Sequence, residues 1–175
     1  MTKLIQAIVA VQSDGGIGAG NKLLFHIPSD LKLFKEKTLG GVLIMGRKTW
    51  ESLPNKRLPG RTCVVISSSS APDKLDDSIY WVNSPLEALQ YATKLTSNKV
   101  WVIGGASVYS QLLKYCNRLH LTKINSISNT KADAFFPELG DSWEIEEIVQ
   151  GANLSNEPDY SIITLVNRNV VDMSI

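Results

Sequence analysis

A single carboxylate stands in the middle of an apolar stretch near the N-terminus. Asp30 is the only acidic residue between Asp14 and Glu36, and it follows Pro28 and Ser29. Either of these two residues can begin a helix, so Asp30 falls in the first helical turn, where its charge interacts favourably with the helix dipole. If its side chain instead faces a pocket, desolvation raises its pKa and makes it a candidate acid–base group. Both interpretations remain open from this stretch alone.

Two junctions between an apolar run and a helical segment have the composition of a phosphate site. The run Val42–Met45 leads through Gly46 into Arg47-Lys48-Thr49. The run Val100–Ile103 leads through Gly104-Gly105 into a helix predicted to begin near position 106. A helix N-terminus offers unpaired N–H groups, and glycine lets a ligand approach the backbone closely. Together the junctions predict a dinucleotide site, although each alone is also compatible with a simple turn.

Four consecutive serines, Ser67–Ser70, follow another apolar run. Enzymes that prefer NAD commonly place a carboxylate here to bind the ribose 2′-hydroxyl. In this chain the first acidic residue after the run is Asp73. Since Arg47 can bind a 2′-phosphate, the composition favours NADPH over NADH, although serine-rich turns also occur without any ligand.

The glycine-rich segment Asp14–Asn21 follows the first apolar run but does not match the dinucleotide pattern G-x-G-x-x-G. A match that starts at Gly16 requires glycine at position 21, where the chain has Asn21, and no helical periodicity begins there. We predict either a flexible surface loop or a mobile lid over a ligand.

Two arginines, Arg57 and Arg61, flank the turn Leu58-Pro59-Gly60. This arrangement suits a clamp for a substrate carboxylate, but arginines beside turns are also common on protein surfaces. The two histidines, His26 and His120, have no cysteine or histidine at metal-ligand spacing, and no metal is predicted.

The elements that must position these residues alternate between strands and helices, which is typical of an α/β protein with a largely parallel sheet. The last two predicted strands have no helix between them, so we expect them to pair antiparallel at one edge. The prediction is one domain over residues 1–175, with a mostly parallel twisted sheet of about eight strands and about four helices. Strands are predicted at Ile5–Val11, Val42–Met45, Cys63–Ile66, Ile79–Val82, Val100–Ile103, Leu119–Ile124, Trp143–Val149 and Tyr160–Val166, and helices at Asp30–Lys37, after Gly46, at Pro85–Thr96 and at Ser107–Cys116.

Composition limits the partners of the chain. Eighteen basic and seventeen acidic residues leave a formal net charge of +1, which gives no broad field for nucleic acid or an anionic membrane. The first apolar run is too short to span a bilayer. We therefore expect a cytoplasmic monomer that binds small molecules, and neither nucleic acid nor membranes. Cys63 and Cys116 lie in apolar runs and are predicted to be buried, unpaired thiols.

Taken together and in this order, the stretches resemble the dihydrofolate reductase family from Leu4 to about Val166. The residues that carry the resemblance are Gly16-Ile17-Gly18, Ile27-Pro28-Ser29-Asp30-Leu31 with Phe34 and Thr38, Ile44–Ser52, Leu58–Arg61, Ile103-Gly104-Gly105 with Tyr109, Leu121-Thr122 and Phe136-Pro137. The resemblance implies reduction of 7,8-dihydrofolate to 5,6,7,8-tetrahydrofolate with NADPH, in support of one-carbon metabolism, and binding of antifolates. Hydride would pass from nicotinamide C4 to pterin C6, with protonation at N5.

The resemblance also implies a set of substrate-binding residues. Asp30 would bind the amino group and ring nitrogen of the pterin, supported by Thr122, while Arg61 would bind the α-carboxylate of the glutamate tail. Phe25 stands where the family commonly has a tryptophan whose N–H holds a water near the catalytic carboxylate, so the resemblance implies a different arrangement of proton delivery in this chain. The implied catalytic residues are Asp30, Thr122 and Phe25, and the implied substrate contacts are Ile8, Val9, Asp30, Leu31, Phe34, Ser52, Leu53, Arg57, Arg61, Ile103, Tyr109 and Thr122.

For the cofactor, the resemblance implies that residues 16–22 close over the nicotinamide and that the Gly104–Gly105 peptide is cis. Asn83 replaces a cation that often helps to bind the 2′-phosphate. The implied NADPH contacts are Ala10, Gly16, Ile17, Gly18, Ala19, Gly20, Asn21, Lys22, Gly46, Arg47, Lys48, Thr49, Ser67, Ser68, Ser69, Asn83, Ile103, Gly104, Gly105, Ala106, Ser107, Val108, Tyr109 and Gln111. The alternative is a pyrimidine reductase of flavin synthesis with the same cofactor site, which would not need the carboxylate of Asp30. A third reading is a non-catalytic module that binds NADPH.

Overall fold

The computed structural model describes residues 3–173, so the predicted domain of residues 1–175 extends two positions beyond them at each end. An eight-stranded sheet forms the centre, with the strand order β5-β4-β3-β6-β1-β7-β10-β9. The strands of this sheet are β1 (Leu4–Val11), β3 (Val42–Gly46), β4 (Thr62–Ile66), β5 (Ile79–Val82), β6 (Lys99–Val102), β7 (Arg118–Ile124), β9 (Trp143–Gln150) and β10 (Tyr160–Asn167). The helices are α1 (Pro28–Thr38), α2 (Arg47–Ser52), α3 (Pro85–Lys94) and α4 (Ala106–Leu112).

The predicted antiparallel edge is confirmed. Strand β10 runs antiparallel to both β7 and β9, and Ile162 lies opposite Thr122 of β7 and Val149 of β9. The other neighbouring pairs of the large sheet are parallel. Strand β10 is therefore the one reversed strand of this sheet, which agrees with the predicted α/β class.

The chain order of the strands creates a crevice at the carboxyl edge of the sheet. The chain passes from β1 to β3, continues outward to β4 and β5, and then returns to insert β6 between β3 and β1. In open α/β sheets, ligands bind beyond the carboxyl ends of the strands at such a change of direction. Both glycine junctions predicted from the sequence lie here, because Gly46 ends β3 and Gly104 follows β6.

The two faces of the sheet bury two different apolar clusters, since successive strand residues point to opposite sides. On one face, Ile5, Ala7 and Val9 of β1 pack in a cluster with residues of α3 and α4. On the other face, Leu43 and Met45 of β3 pack in a cluster with Trp50 and Trp101, and residues near Asp30 border it. The second face therefore carries the candidate site.

Three local predictions differ from the structure. Helix α3 ends at Lys94 instead of Thr96, because Leu95 is extended and its carbonyl accepts a hydrogen bond from the Lys3 ammonium. Helix α4 ends at Leu112, and Leu113–Tyr115 tighten into a 3-10 turn. Two short strands, β2 (Gly16–Gly18) and β8 (Ala134–Phe135), form a separate sheet that has no counterpart among the predicted strands.

Both cysteines are buried and unpaired, as predicted. Burial raises the pKa of Cys63 to about 11 and that of Cys116 to about 12. Both side chains are therefore thiols at neutral pH and behave as small apolar groups.

Candidate functional site

The carboxylate singled out from the sequence is fixed by a residue far away in the chain. Asp30 lies in the first turn of α1, and its Oδ1 accepts a hydrogen bond of 2.6 Å from the Thr122 hydroxyl. Thr122 is buried near the end of β7 and lies beside Ala10 of β1. The register of the sheet therefore brings β1, β7 and the start of α1 together at one point.

The environment of Asp30 favours its protonated form. Burial is the main cause that raises its pKa, the hydrogen bond from Thr122 acts in the opposite direction, and the negative charge of Glu157 raises the pKa further. A carboxyl group in this state can hold a proton at a pH where an exposed aspartate has lost it. Asp30 thus has the burial and the raised pKa that are typical of functional carboxyl groups in apolar pockets.

Apolar side chains line the face of the sheet on which Thr122 holds this carboxyl group. Ile8, Phe34, Leu53 and Ile103 are partly buried and pack against the cluster on the same face of the sheet. Leu31, one residue after Asp30, remains 36% exposed and is free to contact a ligand. These walls suit a flat aromatic ring whose polar edge meets Asp30.

Two further predicted site residues have different surroundings. The side chain of Val9 packs on the opposite face of the sheet with the cluster of α3 and α4, so it points away from Asp30. Ser52 is exposed and uses its hydroxyl to donate to the Thr49 carbonyl within its own helix at 2.6 Å. A substrate contact of Ser52 stays a prediction.

Phe25 packs beside the site in a third apolar cluster, with Ile27, Ile124 and Tyr160. Its ring has no hydrogen-bond donor, so it cannot hold a water in the manner implied for the family. Phe25 is therefore an apolar side chain of the cluster that contains Ile27, the residue directly before α1.

The two arginines around the predicted turn have different environments. Arg61 is only 7% exposed, and its Nε donates to the Pro59 carbonyl while one Nη donates to the Thr38 hydroxyl. Its guanidinium also lies over the ring of Phe34, 5.9 Å from the centroid. Arg57 is half-exposed and lies 3.6 Å from Asp76. Arg61 is therefore the more rigid cation, and it retains unused N–H donors in the part of the chain described.

The two glycine junctions converge at the carboxyl ends of β3 and β6. The N–H of Gly46 donates to the Gly104 carbonyl at 2.8 Å, and the Gly104–Gly105 peptide is cis, as the resemblance implies. A Cβ on Gly105 would lie 3.7 Å from the Thr49 hydroxyl, so α2 and α4 begin side by side. Neither helix has a side-chain cap at its N-terminus.

This region fits the phosphates of a dinucleotide. The uncapped N–H groups need acceptors, and the glycines leave the backbone open to close approach. Arg47 and Lys48 are exposed at the same point, and Arg47 lies 3.6 Å from Glu51 in a loose ion pair that a phosphate can replace. A Cβ on Gly104 would lie 3.1 Å from the Tyr109 ring, which restricts this position to glycine.

The other predicted cofactor residues form their own local hydrogen bonds. The Ser67 hydroxyl is buried and accepts from the Ser69 N–H, so it shapes the serine turn, whereas Ser68 is exposed. The N–H of Asn83 donates to Glu87. Gln111 donates to Ser107 of the same helix. Ser67 and Ser68 follow β4, the neighbour of β3 in the sheet, and Ser68 has no competing contact among the residues described.

Tyr109 is almost fully buried, and its hydroxyl donates to the Ile8 carbonyl at 2.6 Å. Its ring also packs against Phe136, with the centroids 5.0 Å apart. This side chain therefore connects α4 with β1 and fixes the distance between the glycine junction and the apolar walls around Asp30.

The glycine-rich segment is partly ordered as strand β2. Gly16 and Gly18 pair with β8, and the N–H of Gly20 donates to Asp133 at 2.9 Å. A Cβ on Gly16 would lie 2.6 Å from the Ala132 side chain, which explains the glycine. Lys22 returns toward Ala19 through paired backbone hydrogen bonds. The segment is thus anchored at a few points and is neither a free loop nor a phosphate turn.

Within residues 3–173 no group of three or more His, Cys, Asp or Glu side chains is arranged to hold a metal ion. Helices in this part of the chain are all too short or too polar to cross a membrane.

Comparisons with known proteins agree on one family. The family model described as dihydrofolate reductase matches residues 4–167. The chain is 40% identical to dihydrofolate reductase type 9 of Escherichia coli over 81% of each chain, and 35% identical to the dihydrofolate reductase of Bacillus subtilis over 95% of this chain and 96% of that protein. Among solved structures, the dihydrofolate reductase of Enterococcus faecalis complexed with NADP(H) and RAB-propyl superposes with a TM-score of 0.84 at 33% identity, covering 94% of this chain and 96% of that one.

Proposed function

Because this chain belongs to the dihydrofolate reductase family and reduces 7,8-dihydrofolate to 5,6,7,8-tetrahydrofolate with NADPH, we propose that Asp30, held by Thr122, orients the substrate in this reaction. The observation that supports this role most directly is the 2.6 Å hydrogen bond between the two side chains at the apolar wall of the site. It leaves the second carboxyl oxygen of Asp30 available for the pterin.

Asp30 binds the amino group and a ring nitrogen of the pterin through that carboxyl group. A carboxylate at this edge of the ring, or a carboxyl group that shares its proton with the ring, increases the electron density of the ring. The basicity of N5 is raised as a result. Solvent then supplies the proton to N5. Ile8, Phe34 and Ile103 hold the ring in place and exclude water from its faces.

When bound, NADPH would supply the hydride that reduces pterin C6. The glycine junctions at Gly46 and Gly104-Gly105 would hold its phosphates, with Arg47, Lys48 and Thr49 beside the adenosine end and Ser67-Ser68 nearby. Residues 16–22 would cover the nicotinamide from the anchored β2. The chain thereby contributes binding, orientation and exclusion of water.

Arg61 binds the α-carboxylate of the substrate's glutamate tail. Its guanidinium is already oriented by Pro59 and Thr38, so little side-chain entropy is lost when the carboxylate binds. Arg57 forms an ion pair with Asp76, with 3.6 Å between Nη1 and Oδ2. Lys56 lies over the Trp50 ring, with its Nζ 5.4 Å from the ring centroid. These contacts support Arg61 as the main partner of the tail and Arg57 as a secondary one.

The test follows NADPH absorbance after dihydrofolate is added to wild-type protein and to Asp30→Asn. Asp141→Asn changes an exposed aspartate outside the site and serves as the matched control. We expect activity in the wild type and the control, a loss of roughly a hundredfold or more in Asp30→Asn at neutral pH, and weaker activity with NADH. Full activity in Asp30→Asn would exclude the proposed role of this residue.

The named relatives do not favour the alternative pyrimidine reductase, since each is a dihydrofolate reductase. Binding of an antifolate distinguishes the two activities directly. A protonated diaminopyrimidine antifolate should bind the wild type and lose affinity in Asp30→Asn, whereas a pyrimidine reductase would not show this dependence on Asp30.

We also propose that the protein acts as a monomer in the cytoplasm. The candidate site is built from residues of one chain, which supports a monomer. The small net charge of +1 is compatible with a freely diffusing enzyme. Sedimentation of the active protein at twice the mass of one chain, or its recovery in a membrane fraction, would contradict these proposals.

A further inference from the structure

Helix α1 begins without a side-chain cap of its own. Its N-cap position is Ile27, and the next residues are Pro28 and Ser29. The missing cap is supplied by the segment 151–159 between β9 and β10. Glu157 in this segment accepts the Ser29 N–H through Oε1 at 2.9 Å and the Ser29 hydroxyl through Oε2 at 2.6 Å. A carboxylate at this place is also favoured by the helix dipole.

A third residue completes a chain of hydrogen bonds. The Ser29 oxygen lies 2.5 Å from the Tyr160 hydroxyl at the start of β10. Because the single proton of Ser29 is donated to Glu157, the phenol of Tyr160 must donate to Ser29. Tyr160 is only 4% exposed and packs in the cluster with Ile27 and Phe25. The chain Tyr160–Ser29–Glu157 therefore connects the sheet with the first turn of α1.

This chain ends directly beside the catalytic carboxyl group, because Ser29 precedes Asp30. The elements around Asp30 present the hydroxyl of Thr122 from β7 and the carboxylate of Glu157 from segment 151–159. Tyr160 of β10 contributes its phenol to Ser29. Among the residues described, Glu157 is the charged side chain whose field acts on Asp30, and it raises the pKa of that carboxyl group.

We propose that Glu157 is a positioning residue for the reaction, which fixes the first turn of α1 through Ser29 and places a second negative charge beside Asp30. The proposal rests on the proposed role of Asp30 as the substrate-orienting group. It follows that segment 151–159, which contributes no other predicted site residue, helps to determine the pH range in which the enzyme works.

The experiment measures the rate of hydride transfer in a single turnover between pH 5 and 9 for four proteins. They are wild type, Glu157→Gln, Glu157→Asp and the control Glu36→Gln. Glutamine keeps an acceptor for the Ser29 N–H and removes the charge, whereas aspartate keeps the charge on a shorter side chain. Glu36 is an exposed residue of α1, so its replacement removes one negative charge from the helix that carries Asp30 without touching the contact to Ser29.

Because N5 must gain a proton from solvent, we expect hydride transfer to be faster on the acidic side of the Asp30 titration. Removing the charge of Glu157, which raises the pKa of Asp30, should therefore lower the midpoint of the pH profile. Above the midpoint the rate of Glu157→Gln should fall roughly threefold, as expected for a partly exposed charge pair. Well below the midpoint it should equal that of wild type. The midpoint of Glu157→Asp should lie closer to that of wild type than the midpoint of Glu157→Gln does. Glu36→Gln should have the same midpoint as wild type.

A Glu157→Gln profile that superposes on wild type would overturn the proposal, as would an equal shift in Glu36→Gln. Titration of the Asp30 carboxyl ¹³C signal in the same proteins gives a second readout that does not depend on turnover. If Asp30→Asn retains full activity, the failure belongs to the proposed function. If Asp30→Asn is inactive while Glu157→Gln matches wild type, the failure belongs to this inference alone.

Discussion

The Thr122 hydroxyl donates a 2.6 Å hydrogen bond to Asp30 across 92 positions of sequence. This contact stabilises the charged form of Asp30, because the hydroxyl has only one proton to donate and a carboxylate is the better acceptor. Burial acts in the opposite direction and is the larger effect, so the pKa of Asp30 is raised on balance. The pKa of Asp30 is thus set by two opposing effects, the hydroxyl donor on β7 that lowers it and the burial that raises it.

Thr122→Val should move the pH profile of hydride transfer to higher pH. The change removes the hydrogen bond that lowers the pKa of Asp30 and leaves burial and Glu157 to raise it. The loss of a partner for a partly buried carboxylate should also cost about 1–2 kcal/mol of stability. Single-turnover rates across pH and urea unfolding measure the two effects.

Thr164→Val is the matched control for that change. Thr164 is a buried threonine on β10, and its replacement should leave the pH midpoint where it is in wild type. A midpoint of Thr122→Val at or below that of wild type would contradict the role assigned to Thr122. The expected upward shift of the midpoint in Thr122→Val is opposite in sign to the one expected for Glu157→Gln. The two variants therefore test separately the contact that lowers the pKa of Asp30 and the charge that raises it.

Tyr109→Phe should weaken the connection between α4 and β1. The variant removes the hydroxyl that donates to the Ile8 carbonyl at 2.6 Å and keeps the ring that packs on Gly104 and Phe136. The unpaired carbonyl should cost about 1–2 kcal/mol, which lowers Tm by roughly 2–7 °C for a chain of this size. Calorimetry tests this, with Tyr115→Phe, a partly buried tyrosine, as control. An unchanged Tm would show that the bond contributes nothing to stability.

Much of this arrangement is predictable from the sequence. The runs Val42–Met45 and Val100–Ile103 are apolar and followed by glycine, so they predict both the central strands and the glycine turns that follow them. Strands β2 and β8 escaped prediction because they are three and two residues long, too short for any alternation of apolar and polar residues to appear.

The contacts that complete the site leave little trace in the local sequence. Glu157 is separated from Ser29 by 128 positions and sits in an irregular segment, and only the absence of a good N-cap before Pro28 hints that some distant residue is needed. Only the family resemblance indicates Thr122, since nothing in its strand distinguishes it. The prediction of a substrate contact at Val9 conflicts with strand alternation, which directs its side chain to the face opposite those of Ile8 and Ala10.

Replacement of Arg61 should act on substrate affinity more than on turnover. Arg61→Lys keeps the charge but loses the planar fork that binds a carboxylate at two points, so KM for dihydrofolate should rise roughly tenfold or more while kcat changes little. Arg57→Ala is the control, because Arg57 is half-exposed and paired with Asp76. A larger KM effect in Arg57→Ala than in Arg61→Lys would transfer the main role to Arg57.

His120 should make the protein less stable in mild acid. Burial lowers its pKa to about 4, and the positive charges of Lys37 and Arg118 contribute. Its Nε2 lies 2.8 Å from the Gln6 side-chain oxygen, while Nδ1 is buried with no partner among the residues described. The folded state therefore resists protonation at a pH where the unfolded chain, with an ordinary histidine pKa near 6.5, already binds the proton.

Between pH 6.5 and about 4 the unfolded state binds more protons than the folded state. The free energy of unfolding must therefore decrease as the pH falls through this range. We expect a contribution on the order of 1–2 kcal/mol after allowance for partial exposure. His120→Gln keeps a side chain able to pair with Gln6 and removes the titration, so the decrease in urea stability from pH 7 to 4.5 should become smaller. The exposed His26→Gln should behave as wild type, and an equal decrease in all three proteins would assign the acid sensitivity to other groups.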